Sequence, residues 1–98
     1  AVLDLARTLE IDGIMSYATD PGVIVAAYVA EKLGLPGCPY ESVRILQNKG
    51  LFRSFLKKHN FNVPTAKSFS TLEQAMRHVD DFQWPVIVKP VDSAGSKG

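Results

Sequence analysis

Charge of one sign is scarce in excess: 11 Lys and Arg stand against 10 Asp and Glu, a formal net charge of +1 at pH 7. A nucleic-acid binder would gather a basic excess on one face, so that class is not expected. Cysteine is almost missing. Cys38 stands alone, which excludes an internal disulfide and suits a reducing cytoplasm. The longest apolar run, residues 23–30, falls far short of the ~20 residues that span a bilayer. Asp4, Arg7 and Glu10 stand where a secretory leader would be basic and then apolar, so no leader is expected. The chain does not open on methionine, and an excised piece of a longer protein is the expectation. His59 and His78 have no partners at ligand spacing, and no metal cluster is expected from them. No serine, histidine and acid arrangement supports nucleophilic catalysis.

What is present has the balance of a soluble protein, 46% apolar and 21% charged over 98 residues. That length allows one small domain or parts of two, with modest stability. Residues 3–10 read as a helix with Leu3, Leu5, Ala6 and Leu9 on its apolar face. Asp12-Gly13 makes a turn, and residues 13–18 read as a mostly buried strand. Asp20 is the expected cap of the next helix, with Pro21 at its first helical position. That helix carries Val23, Ala26, Ala27, Ala30 and Leu33 and ends at Gly34, with Pro36 beyond. Helix, strand, helix is the grammar of an α/β layered domain. One strand makes no sheet, so its partners must come from elsewhere.

Residues 34–40 carry Gly34, Pro36, Gly37 and Pro39 and read as a connection between structural units. A short helix over 41–47 and a longer one over 48–59 follow, the second burying Leu51, Phe52, Phe55 and Leu56. Asn60 and Asn62-Val63-Pro64 end it, and 65–69 alternates weakly as a strand. Ser70 or Thr71 caps the next helix, with Glu73 or Gln74 in capping-box spacing. Trp84 and the phenylalanines read as core, and residues 86–89 as a final strand.

Lys89 is the foremost candidate for chemistry. It ends a run of β-branched residues, and a buried ammonium needs a partner such as a phosphate. An edge position with the ammonium reaching water serves it equally. In the tail, Ser93, Ala94, Gly95, Ser96 and Lys97 combine small residues, hydroxyls and a second cation. Such a loop forms an anion-binding concavity or simply a flexible connection. It lacks the glycine spacing of a Walker A loop or a dinucleotide fingerprint. Asp92 bonds the loop's own backbone or pairs with Lys97. Lys49, Arg53 and Lys57 recur every four residues as a basic stripe, the pattern of a solvated face. Lys49 differs because it opens its helix beside Gly50, where N–H groups favour an anion. Thr19 and Asp20 follow a strand, a place for ligand sites in α/β folds, and helix capping explains them equally.

Together these residues resemble the ATP-grasp enzymes, in particular the branch of carbamoyl-phosphate synthase and biotin carboxylase. The resemblance starts at Asp12-Gly13-Ile14-Met15-Ser16-Tyr17 and the segment from Ala26 through Leu33-Gly34-Leu35-Pro36-Gly37. It runs on through Asn48-Lys49-Gly50-Leu51-Phe52-Arg53 and Phe61-Asn62-Val63-Pro64-Thr65. Its most specific part is Trp84-Pro85-Val86-Ile87-Val88-Lys89-Pro90 with the Ser/Gly loop.

The resemblance implies an α/β fold in two parts. Residues 1–40 would close a Rossmann-like domain preceding the ATP-grasp fold, and residues 41–98 would begin the α+β nucleotide lobe. Lys89 would contact the α- and β-phosphates of ATP, and Ser93, Ala94, Gly95 and Ser96 would belong to a flap over the β- and γ-phosphates. Lys49 would lie against the nucleotide, with Asn48 where many members carry Asp, and Lys97 would add charge in the flap. Members phosphorylate a carboxylate with ATP, and an amine or similar nucleophile attacks the acyl phosphate. Mg²⁺ normally bridges the phosphates, through ligands that in this family lie beyond these residues, as does the adenine hinge. The expected partners are therefore ATP, a small carboxylate and an amine, with no nucleic acid and no membrane, and a homodimer as one assembly. These residues alone are not expected to be catalytic. The alternatives are a non-catalytic small α/β module that binds an anion or partner, and a degenerate ATP-grasp lobe with a structural role.

Overall fold

The structure is a computed structural model that describes residues 1–93. The chain divides into two compact units, Ala1–Gln47 and Asn48–Gly98. The first holds α1 (Val2–Thr8), α2 (Asp20–Leu33) and α3 (Tyr40–Gln47). The second holds α4 (Lys49–Lys58), α5 (Leu72–Arg77) and a 3₁₀ turn over Val79–Asp81.

In the first unit α2 is the centre, with α1 and α3 packed on it. Thr19 is extended before α2, and Pro21 occupies the first turn, where a missing N–H costs nothing. Asp20 is thus the first helical residue, one place beyond the expected cap. The far end closes as foreseen: Gly34 turns left-handed at φ 67°, a backbone state that costs a residue with a Cβ roughly 1–2 kcal/mol. Its N–H reaches Glu31 O and that of Leu35 reaches Ala30 O, which satisfies carbonyls the helix leaves unpaired. The Glu31 carboxylate accepts the Tyr40 N–H at 3.0 Å. At the other end of α3, Gln47 donates to Asp20 O at 2.6 Å. These two ties set α2 and α3 antiparallel. The buried residues are small: Ala6, Ala27, Val29, Ala30 and Val43. Alanines let helix backbones approach, but they remove little apolar area from water.

In the second unit Asn48 caps α4 by accepting the Leu51 N–H on Oδ1 at 3.0 Å. Asn60 ends it with φ 60°, while Phe61 N–H donates to Leu56 O. Thr71 caps α5 through the Gln74 N–H, and the Gln74 side chain reaches back to Ser70 N–H, a displaced capping box. The Asp81 carboxylate accepts from Lys67 and from His78 Nδ1. The His78 ring stacks on Phe69 at 5.5 Å, so the 3₁₀ turn is fastened to the preceding segment.

The helices match the sequence reading and the strands do not. Residues 13–18, 65–69 and 86–89 form no strand, and no β-strand occurs among the described residues. The expected α/β class is therefore not realised in them. A strand's backbone bonds must be made by a neighbouring strand, and none of these segments has one. Met15 and Tyr17 are exposed in consequence, as are Ile87 and Val88 at 88% and 90%. Because Ile87 and Val88 would point to opposite faces, both faces of that segment lie open. Trp84, expected in the core, is 65% exposed, and Phe61 and Phe55, the latter expected on the buried face of α4, are exposed as well.

The Asp81 cluster makes a pH prediction. Its hydrogen bond from Lys67, then that from His78, holds the carboxyl below its usual value. A lowered native pKa stabilises the fold above the unfolded value of about 3.9 and is lost as pH falls through the native value. Asp81→Asn should therefore lower Tm at neutral pH in dilute salt. The difference should fall away as pH drops below about 3.9, vanish once the pH lies below the lowered native value, and shrink with added salt, because the cluster is exposed. A Tm gap that persists in acid would refute the assignment.

Candidate functional site

The first turn of α4 gathers the chain's chemistry. A helix start exposes N–H groups and the positive end of its dipole. The Asn48 cap takes the Leu51 N–H, and the Lys49 N–H donates to Val91 O at 2.8 Å. The Lys49 ammonium donates to Ser93 O at 2.7 Å in a half-buried setting. A cation at this end of a helix opposes the dipole, and no acidic residue occupies the first turn of α4 to offset it. The Ser93 carbonyl supplies that offset. The turn stays net positive, which is the chemistry that suits a polyanion.

Gly50 explains how close the surrounding chain comes. A Cβ placed on it would run into Ser68 Oγ and lie 3.1 Å from Ser68 Cβ. Segments around 68 and around 91–93 thus converge on the first turn of α4. Ser68 and the Val91 carbonyl carry no sequence signal: a lone serine and a backbone oxygen look the same in any loop.

Of the expected site residues, Lys49 and Ser93 are brought together. Lys89 is exposed on a segment without regular structure, and among the described residues it makes no hydrogen bond or ion pair. Ala94, Gly95, Ser96 and Lys97 lie outside the described residues. Asp92 is exposed. Arg53 is half-buried and Lys57 exposed on the stripe that Lys49 begins. His59 lies 4.4 Å from the Phe55 ring, and Cys38 is an exposed thiol. No group of His, Cys, Asp and Glu able to hold a metal forms among the described residues, so ligands for Mg²⁺ are not found there. A cavity of about 230 Å³ in the first unit is lined by Ala30, Glu31, Leu35, Gly37, Cys38 and Pro39, none of them an expected site residue. No helix among the described residues is long and apolar enough to cross a membrane.

No family model matches the chain. By relatives and by structure, however, it is related to the ATP-grasp ligases. It is 37% identical over 82 residues to the carbamoyl phosphate synthase large chain of Methanothermobacter thermautotrophicus, covering 79% of this chain and 8% of that one. It is 28% identical over 111 residues to the phosphoribosylamine–glycine ligase of Pyrococcus horikoshii, covering 96% of this chain and 25% of that one. In fold it matches the L-amino acid ligase from Bacillus licheniformis with a TM-score of 0.71 and 31% identity, over 95% of this chain and 23% of that one. The chain therefore spans a quarter or less of the length of each of these proteins.

The contact at Gly50 is testable without a ligand. Gly50→Ala should destabilise the chain by about 1–3 kcal/mol, the cost of overpacking, despite alanine's better helix propensity. Chemical denaturation measures this. In a Ser68→Gly background the penalty should largely disappear, and an equal penalty in both backgrounds would show that Ser68 is not the obstacle.

Proposed function

We propose that this chain supplies phosphate-contacting residues to an ATP-dependent ligase that joins a carboxylate to an amine or related nucleophile. The observation that carries the reading is the Lys49 ammonium at the first turn of α4 beside Ser93, in a chain related to ATP-grasp ligases. Lys49 and Lys89 would hold the phosphates of ATP, and Ser93 with Ala94, Gly95, Ser96 and Lys97 would line them. Residues 1–40 would close the domain that precedes the nucleotide lobe, and residues 41–98 would begin that lobe.

In such a reaction the carboxylate oxygen takes the γ-phosphoryl group and ADP leaves. The nucleophile then attacks the acyl carbon and expels phosphate. Positive groups fixed around the phosphates offset the charge that shifts toward the leaving oxygen, and fixed geometry avoids reorganisation during transfer. Mg²⁺, when bound, would further neutralise the phosphates. The described carboxylates do not cluster into a site that would hold it. The amine, the carboxylate and the adenine ring would be held by polypeptide outside these residues. The reading therefore includes a chain inactive by itself and, from its one cysteine, a reducing cytoplasm.

ATP titration with and without Mg²⁺ tests this. The 98-residue chain alone should bind weakly or undetectably, because on this reading part of the cleft would lie outside it. Tight binding by these residues alone would instead support a self-sufficient anion-binding module. In the ligase that carries the segment, Lys89→Ala should lower ATP-dependent kcat/KM by about 10²-fold or more. Unchanged kinetics would remove Lys89 from the site.

A further inference from the structure

The first three N–H groups of a helix have no acceptor within it, so any protection they show comes from outside. In α4 the N–H of Lys49 is taken by Val91 O at 2.8 Å, and the same residue's ammonium is taken by Ser93 O at 2.7 Å. One residue therefore grips a three-residue stretch at both ends. The grip is asymmetric. The ammonium bond is charge-assisted and half-buried, so it is the stronger of the two. It also relieves a cation placed at the positive end of a helix dipole.

We propose that Lys49 is a positioning residue, a tie that fastens residues 91–93 to α4 when no phosphate is bound and is surrendered when one binds. A phosphate oxygen carries more negative charge than a carbonyl and takes the ammonium from it. Loss of the ammonium bond loosens the stretch, and the backbone bond from Lys49 to Val91 weakens with it. The tie itself is independent of the nucleotide reading; its release rests on the assignment of Lys49 to the phosphates.

The geometry supplies its own reporter. The N–H of residue 49 has Val91 O as its acceptor, so its hydrogen exchange measures how firmly 91–93 is held. In Lys49→Met the backbone N–H remains and the ammonium is gone. Ligand-free exchange at residue 49, corrected for intrinsic rates, should quicken about tenfold, the loss of one charge-assisted bond. Lys49→Arg, which keeps a cation and donors, should restore most of the protection. Arg53→Met, on the same face of α4, should change nothing at residue 49 and controls for a general loss of fold.

In the ligase that carries the segment, pyrophosphate titrated to tens of millimolar at constant ionic strength should quicken exchange at residue 49 in the wild type and leave Lys49→Met unaffected. Unchanged ligand-free exchange in Lys49→Met would overturn the tie. Phosphorus resonances of the added pyrophosphate separate the remaining failures. Binding that is equal in wild type and Lys49→Met, or absent from both, would overturn the release by removing Lys49 from the phosphates. Binding that requires Lys49 yet leaves its N–H protected would overturn the release while sparing that assignment.

Discussion

A helix satisfies its backbone within itself, whereas an extended segment must send its hydrogen bonds to a neighbour or to water. This constraint divides the chain. Every segment with helical periodicity and end signals folds as a helix. The segments at 13–18, 65–69 and 86–89 remain without partners among the described residues. The consequence reaches the core. With those segments unpaired, Met15, Tyr17, Trp84, Ile87 and Val88 stay exposed, and burial falls to three alanines and two valines in the first unit. The apolar surface needed for a larger core is present in the sequence, but it lacks a surface to cover it.

The two units answer this shortage differently. The first relies on close helix packing and on polar ties at the ends of α2 and α3, through Glu31 and Gln47. No helix of the second contains a buried residue. Its order comes from caps and clasps: Asn48 and Thr71 at helix starts, Asp81 between Lys67 and His78, and Lys49 on residues 91–93. Hydrogen bonds of this kind contribute little each, and the exposed ones are weakened further by water and salt. They position segments more than they stabilise them.

That economy would suit the phosphate-contacting role proposed for this segment. A site held by a deep core would be rigid regardless of its ligand. Here the positive first turn of α4 is joined to the stretch at 91–93 by a backbone bond to Val91 and by an ammonium that a polyanion would also attract. The relation to ATP-grasp ligases gives the positive turn a chemical context.

Local chemistry in the sequence settled the helices and their ends. Gly34 turns left-handed because it has no Cβ, Asn48 and Thr71 cap because their oxygens reach N–H groups three residues on, and Asn60 tolerates a positive φ. Lys49 stood out for a similarly local reason, a cation at a helix start. Strand pairing and the burial of Trp84 depended on distant chain, and alternation in the sequence cannot supply a neighbour. The Ser93 carbonyl opposite Lys49, Ser68 against Gly50, and Asp81 between Lys67 and His78 were likewise decided only in three dimensions. These contacts join residues far apart in the chain or use backbone atoms that every residue shares, so no pattern of side chains records them.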